Sequence, residues 1–130
     1  MEDKITCCIV DDSNFFRKFM RDIAEEMALT VLGDYHSGDS FLKDLADESI
    51  LFPELVFLDI NMPGHSGTEL LEDILDIVPE AVIIMISTVS DVKIVKECLM
   101  SGASNFINKN TDKKTIMEII TDTLRNNAML

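Results

Sequence analysis

Acidic side chains and one lysine stand where short apolar segments of the sequence end. Asp11 and Asp12 follow one such segment, Asp59 follows another, and Lys109 follows a third. If the first two segments form neighbouring strands, three carboxylates face one small volume, and each pair about 4 Å apart repels by roughly 4 kcal/mol at an effective dielectric constant of 20. This crowding predicts a bound cation. An oxygen-only site with space for water favours Mg²⁺, and Lys109 could supply a second positive charge.

These aspartates directly follow apolar segments, and this position helps to decide whether they form a binding site or are ordinary charged residues of the surface. An acidic residue at a strand end is usually solvated, and for any one of the three alone that interpretation would prevail. Uncompensated charge next to a core is costly, which favours a site formed by the three together. Neither His36 nor His65 has metal-ligand spacing, so zinc is disfavoured.

A carboxylate next to Mg²⁺ and a lysine can act as a nucleophile toward phosphorus and form an aspartyl phosphate. The metal, the ammonium and nearby hydroxyl or amide donors would offset charge on the transferring oxygens. The turn residues of segment 61–67, among them Pro63 and Gly64, let the backbone pass close to a bound group.

Apolar segments alternate with segments of helical periodicity, and this alternation predicts the elements that position the site. Residues 5–10, 55–58 and 81–86 are apolar almost throughout, as expected of strands covered on both faces of a parallel sheet. Residues 30–35 and 105–107 are more mixed, as edge strands would be. Five strand–helix units predict an α/β fold with a doubly wound five-stranded parallel sheet and five helices. Ligands of such sheets bind beyond the carboxyl ends of the strands.

Apolar side chains that recur on one face predict the helices. The expected buried stripes are Phe15, Phe19, Ile23 and Met27; Phe41, Leu42 and Leu45; Leu70, Leu71, Ile74, Leu75 and Val78; Val92, Val95 and Leu99; and Ile116, Ile119, Ile120 and Leu124. Ser13 or Asn14 can cap the first helix, and Gly33 and Gly38 are expected to punctuate the second connection. Pro79 and Gly102 are expected to end the third and fourth helices.

The composition excludes several classes of protein. With 130 residues, 47% of them hydrophobic, the chain suits one compact domain and excludes a two-domain enzyme. Its 24 acidic and 11 basic side chains give a net charge of −13, which disfavours nucleic acid and membranes as partners. No apolar stretch approaches the roughly 20 residues that span a bilayer. Cys7, Cys8 and Cys98 lack secretory context, so we expect buried thiols in a cytoplasmic protein.

With these elements in order, the sequence resembles the receiver domain of bacterial two-component response regulators. The resemblance covers residues 1–130 as a single receiver domain. The motifs that carry it are Asp11-Asp12-Ser13, the run Leu58-Asp59-Ile60-Asn61-Met62-Pro63-Gly64 with Gly67 beyond it, Ser87, Gly102-Ala103, and Phe106 with Lys109. The resemblance implies a flavodoxin-like fold with strand order 2-1-3-4-5, an order for which a member of this family is a standard example.

The resemblance also implies a role for each residue of the site. Asp59 would accept a phosphoryl group from a phosphohistidine of a sensor kinase, and Lys109 would pair with Asp59 and then with the phosphoryl oxygens. Asp12 and Asp59 would bind Mg²⁺ directly, together with the backbone carbonyl of Asn61. Asp11 would act mainly through metal-bound water.

A conformational switch is implied as well. The Ser87 hydroxyl and the backbone amide of Thr88 would bond to phosphoryl oxygens, and movement of Ser87 would clear space for Phe106 to turn inward. The face formed by the fourth helix, the fifth strand and the fifth helix would then change shape. We therefore expect a phosphorylation-activated signalling switch that catalyses its own phosphorylation and slow dephosphorylation, and not a metabolic enzyme.

The implied partners are proteins: a sensor histidine kinase or phosphotransfer protein, a downstream target, and a separate phosphatase. Output is expected through protein contact, as in chemotaxis-type regulators or phosphorelay shuttles, from a monomer or a weak phosphorylation-dependent dimer. Arg17, Lys18 and Arg21 on the first helix form what is usually a solvated face, and in this family that face often meets the kinase.

Four positions depart from the family's commonest pattern. Asn110 replaces the usual proline after the lysine, and because a cis bond to asparagine would cost about 3–4 kcal/mol, we expect a trans or strained path there. Val89 lacks a polar side chain where the family often positions hydrolytic water, which predicts a long-lived aspartyl phosphate unless a phosphatase acts. Ser87 in place of threonine is a mild change, and Phe106 in place of tyrosine removes one hydroxyl from the switch.

Three other classes compete with this interpretation. A flavodoxin-like FMN carrier should have a first loop rich in Ser, Thr and Gly, whereas Asp11 and Asp12 would repel phosphate. A haloacid-dehalogenase-type phosphatase has a second aspartate two residues after its nucleophile, where this chain has Asn61. A degenerate receiver would act only as a protein-binding module, and the complete set of acidic, hydroxyl and lysine residues argues against it.

Overall fold

The computed structural model describes residues 4–64, 67–88 and 92–130, in which strands and helices alternate strictly. The strands are β1 (Thr6–Val10), β2 (Thr30–Tyr35), β3 (Leu55–Asp59), β4 (Val82–Ser87) and β5 (Asn105–Asn108). The helices are α1 (Asn14–Glu26), α2 (Gly38–Ala46), α3 (Gly67–Ile77), α4 (Val92–Met100) and α5 (Lys113–Asn126). The predicted alternation is confirmed, and β3, β4 and β5 each end one residue later than predicted, at Asp59, Ser87 and Asn108.

The five strands form one parallel sheet in the order β2-β1-β3-β4-β5, which confirms the predicted fold class. The inner strands β1, β3 and β4 are buried almost throughout because helices cover both faces, whereas the edge strands β2 and β5 are partly exposed. β1 pairs with β2 on one side and with β3 on the other, so the chain changes winding direction there. The carboxyl ends of β1 and β3 therefore meet at the position where such sheets bind ligands.

Alternate residues of the inner strands contribute to two hydrophobic cores, one on each face of the sheet. Cys8 and Val56 pack in the core under α2, α3 and α4, whereas Cys7 and Leu55 pack in the core under α1 and α5. The three cysteines are buried free thiols, as predicted. Burial raises the pKa of Cys7 to about 11 and that of Cys8 to about 12, so both stay protonated and act as small apolar groups.

The predicted stripes of α1 and α4 were wrong at particular positions. Phe15 was expected in the core, but its side chain is 81% exposed, and the buried face of α1 is formed by Phe16, Met20, Ile23 and Ala24. Val92 and Leu99 are also exposed, because α4 turns Cys98 toward the sheet. Neighbouring apolar residues on each helix permit two stripes that differ by a rotation about the helix axis, and packing against the sheet selects one.

The helix boundaries follow local signals with one exception. Ser13 caps α1, since its Oγ accepts a hydrogen bond of 3.2 Å from the backbone N–H of Phe16. Gly102, after α4, has a φ of +115°, which favours glycine and ends the helix as predicted. Gly38 begins α2, at the end of the second connection, whereas Gly33 lies inside β2, where the pairing with β1 shifts register. No helix in the described part of the chain has the length and apolarity needed to cross a membrane.

Candidate phosphorylation and metal site

Three aspartates converge at the carboxyl ends of β1 and β3. Val10 pairs with Leu58 in the parallel ladder, so the residues that follow them, Asp11 and Asp59, lie next to each other. Carboxylate oxygens of Asp11, Asp12 and Asp59 all lie within 4.8 Å of one another. The structure thus brings together the acidic residues that the sequence placed on separate segments.

The three carboxylates differ in their access to solvent. Asp11 and Asp59 are buried, with 0% and 2% of their surface exposed, whereas Asp12 is exposed. Water can therefore solvate Asp12 but screens the other two poorly. The cluster is open on the Asp12 side and closed toward the core.

Lys109 carries the positive charge closest to the two buried carboxylates. Its Nζ lies 2.8 Å from Oδ2 of Asp11 and 3.5 Å from Oδ2 of Asp59. The shorter contact is with Asp11, although the resemblance had implied a pair with Asp59. Oδ2 of Asp11 makes an ion pair but accepts no hydrogen bond of suitable geometry from the residues that the structure describes.

Backbone amides fix the other oxygen of each buried carboxylate. The N–H of Ser13 donates to Oδ1 of Asp11 at 2.8 Å, and the N–H of Asn61 donates to Oδ1 of Asp59 at 3.1 Å. Both contacts reach two residues along the chain, a turn for which aspartate is well suited. Each carboxylate therefore keeps one oxygen tied to its own loop and turns Oδ2 toward Lys109.

The pKa of Asp59 is raised from 3.8 to about 6. Desolvation by burial is the largest cause, and the charges of Asp11 and Asp12 add to it. The Asn61 N–H and the Lys109 ammonium act in the opposite direction but do not cancel it. Ionised Asp59 is therefore under-compensated by the protein alone.

The donor set fits a hard divalent cation. It consists of oxygens from three carboxylates that lie within a few ångströms of one another, and the Asp12 carboxylate is exposed to water. The buried Oδ2 of Asp11 forms an ion pair with Lys109 but accepts no hydrogen bond of suitable geometry from the described residues. Mg²⁺ prefers such all-oxygen sites and keeps several of its waters. The carboxylates of Asp12 and Asp59 could bind such an ion directly.

Ser87 ends β4 at the same edge of the sheet and is 2% exposed. Its Oγ accepts a hydrogen bond of 2.9 Å from Nδ2 of Asn61, and its backbone carbonyl accepts one of 2.8 Å from the N–H of Lys109. Thr88, the next residue, is exposed. Phe106 on β5 pairs with Met85, and its half-buried ring packs against the core under α2, α3 and α4.

Several sequence predictions concern the loops around the site. The Lys109–Asn110 peptide bond is trans, since the described residues contain no cis bond. Gly64 has a φ of +88°, in agreement with its predicted place in a turn. His65 and Val89 lie outside the described residues.

Two residues contact the site although the sequence analysis did not place them there. Arg17, predicted to lie on a solvated face, donates from Nη1 to the backbone carbonyl of Asp11 at 2.6 Å and pairs with Asp34 at 3.3 Å. Phe16 lies under Lys109, whose Nζ is 4.8 Å from the centre of the ring. The acidic residue Asp34, on the strand next to β1, could have indicated a partner for Arg17, whereas the helical periodicity favoured Phe15 over Phe16 and so missed this contact.

The sequence of residues 7–121 matches the family described as response regulator receiver domain. The chain belongs to this family. Among curated relatives of this receiver, protein CcdB of Bacillus subtilis is 35% identical over 112 residues, which are 86% of this chain and 91% of that protein. The chemotaxis protein CheY of Bacillus subtilis is 32% identical over 116 residues, which are 89% of this chain and 94% of CheY.

Solved structures agree with the assignment to the receiver fold. A CheY-like receiver domain protein from Methanospirillum hungatei JF-1 superposes with a TM-score of 0.85 at 24% identity, over 97% of this chain and 98% of that one. CheY in a CheX–CheY–BeF3–Mg²⁺ complex from Borrelia burgdorferi superposes with a TM-score of 0.81 at 28% identity, over 92% of this chain and 89% of that one. The receiver is thus related to two-component response regulators, which signal through phosphorylation.

Proposed function

We propose that this receiver is a signalling switch that catalyses transfer of a phosphoryl group from a phosphohistidine to Asp59. The observation that carries the proposal is the setting of Asp59. Its carboxylate is buried at a strand end, lies 3.5 Å from Lys109, and shares a cluster with Asp11 and Asp12. Such crowding of buried carboxylates around one lysine is typical of groups that react or bind a cation.

We assign Mg²⁺ to this cluster. The carboxylates of Asp12 and Asp59 and the backbone carbonyl of Asn61 would hold the ion directly, and Asp11 would hold one of its waters. When bound, Mg²⁺ neutralises charge on the carboxylates and on the phosphoryl oxygens. The related CheY structure that contains BeF3 and Mg²⁺ supports this assignment.

In the transfer step, one Asp59 carboxylate oxygen attacks phosphorus and forms the new P–O bond. The P–N bond to the donor histidine breaks, and the histidine nitrogen keeps the electron pair. Lys109, already within 3.5 Å of Asp59, pairs with the phosphoryl oxygens. The Ser87 hydroxyl and the Thr88 backbone amide donate hydrogen bonds to the remaining oxygens. Hydrolysis later returns Asp59 and releases inorganic phosphate.

The same hydroxyl links the chemistry to a change of shape. In the unmodified protein Ser87 Oγ accepts a hydrogen bond from Nδ2 of Asn61. Its movement toward the phosphoryl group breaks that bond and makes room for Phe106 to turn further inward. The surface of α4, β5 and α5 then changes, and a downstream protein that prefers the new surface shifts the equilibrium toward it.

The decisive experiment is incubation with Mg²⁺ and a small acyl phosphate, followed by intact mass spectrometry. We expect the wild-type protein to gain the mass of one phosphoryl group and Asp59→Asn to gain none. Asp76→Asn, at an exposed position of α3, is the matched control and should be labelled like the wild type. If the wild-type protein is not labelled, the proposal is wrong, and the interpretation that remains is a degenerate receiver that acts only as a protein-binding module.

A further inference from the structure

We propose that Phe16 is a positioning residue for phosphorylation, and that the face of its ring holds the Lys109 ammonium at Asp11 and Asp59. This inference rests on the proposed function for its consequence, but its geometry is independent of it. The Lys109 Nζ lies 4.8 Å from the centre of the Phe16 ring, within the range of a cation–π interaction.

The surroundings of Lys109 explain why a ring is needed there. The lysine side chain is 13% exposed and has four rotatable bonds, and its nearest carboxylate is Asp11 at 2.8 Å rather than Asp59 at 3.5 Å. To assist transfer, the ammonium must stay in reach of Asp59 as phosphoryl oxygens arrive. Another carboxylate could hold it there, but its charge would repel the phosphoryl group.

An aromatic face holds a cation without carrying a net charge. The negative face of the ring attracts the ammonium, and the attraction is strongest where water is largely excluded. Phe16 is 6% exposed and the Lys109 side chain 13% exposed, so the ring and the ammonium are in contact where water has little access. Phe16 therefore keeps Lys109 in place and leaves its positive charge available to the phosphoryl oxygens.

The loop after β1 places the ring and the aspartate together. The N–H of Ser13 donates to Oδ1 of Asp11, and the Oγ of Ser13 accepts from the N–H of Phe16. One residue thus fixes Asp11 and Phe16, both of which contact Lys109. Phe15, the residue before Phe16, is 81% exposed, so most of its side chain lies in solvent.

The test introduces mono-, di- and trifluorinated phenylalanine at position 16 of the whole protein. Fluorine withdraws density from the ring face and barely changes the shape of the ring, so core packing is preserved. We expect the rate of labelling by an acyl phosphate with saturating Mg²⁺ to fall stepwise, by roughly three- to tenfold for the trifluorinated ring, the size of a cation–π contribution. The same series at Phe19, whose ring centre is 5.6 Å from that of Phe16, is the matched control and should leave the rate unchanged.

A second measurement reports the contact without any phosphorylation. Ring current from Phe16 should shift the Lys109 side-chain protons upfield in the NMR spectrum of the unmodified protein. Phe16→Leu should abolish this shift and slow labelling, whereas Phe15→Leu should change neither. The inference is overturned if the shift is absent, if fluorination at position 16 leaves the rate unchanged, or if the Phe19 series slows it equally. If the wild type is not labelled at all, the proposed function fails and the ring-current shift alone decides whether Phe16 holds Lys109.

Discussion

Removal of the negative charge at position 59 should stabilise the metal-free protein. Asp59 is 2% exposed, and its pKa of about 6 in place of 3.8 reflects burial and the charges of Asp11 and Asp12. The ionised carboxylate is therefore about 3 kcal/mol less favourable in the folded protein than in the unfolded chain. Asparagine can keep the hydrogen bond from the N–H of Asn61, so Asp59→Asn should gain up to about 3 kcal/mol at neutral pH.

The pH dependence gives the sign of this effect. A carboxyl group with a raised pKa in the folded state binds its proton more tightly there, so its penalty is complete above about pH 6 and disappears below about 3.8. The advantage of Asp59→Asn should therefore be present at about pH 7.5 and mostly lost at about pH 4.5. Mg²⁺ should also reduce it, because the ion binds the folded wild type and loses a ligand in the variant.

Urea unfolding followed by circular dichroism measures these free energies. The chain has no Trp and a single Tyr, so the backbone signal is the suitable probe. Asp76→Asn on α3 removes an equal charge from an exposed site and should change the free energy of unfolding little. An Asp59→Asn variant that is no more stable than the wild type and this control, without Mg²⁺ at about pH 7.5, would contradict the expected stabilisation.

Three further predictions concern neighbouring residues. Lys109→Met should prevent labelling and destabilise the metal-free protein by about 3 kcal/mol at neutral pH, because two buried carboxylates lose their cation; unchanged urea midpoints would contradict this. Ser87→Ala should still be labelled at Asp59, but beryllofluoride should no longer shift the aromatic NMR signals of Phe106, and a wild-type shift would exclude Ser87 as the link. Purified phosphorylated protein should keep its label for long periods with Mg²⁺, since Val89 offers no polar side chain, and rapid loss measured by intact mass would disprove that expectation.

The sequence by itself determined the layout of the fold and the members of the site. Apolar strands and amphipathic helices are local patterns, and parallel strands joined by helices have one preferred handedness. The carboxyl ends of such strands share one edge, so Asp11, Asp12, Asp59 and Lys109 could be expected together from their places after strands. The match to the receiver pattern added the strand order 2-1-3-4-5.

Only the tertiary structure decided which contacts those residues make. Periodicity fixes the spacing of apolar residues but not the rotation of a helix against the sheet, so the sequence predicted Phe15 in the core whereas packing buried Phe16. A lysine can reach several acceptors at similar distances, and packing placed Lys109 nearer Asp11 than Asp59. Contacts of this kind depend on side chains from elements far apart in the chain, and local sequence carries no record of their relative orientation.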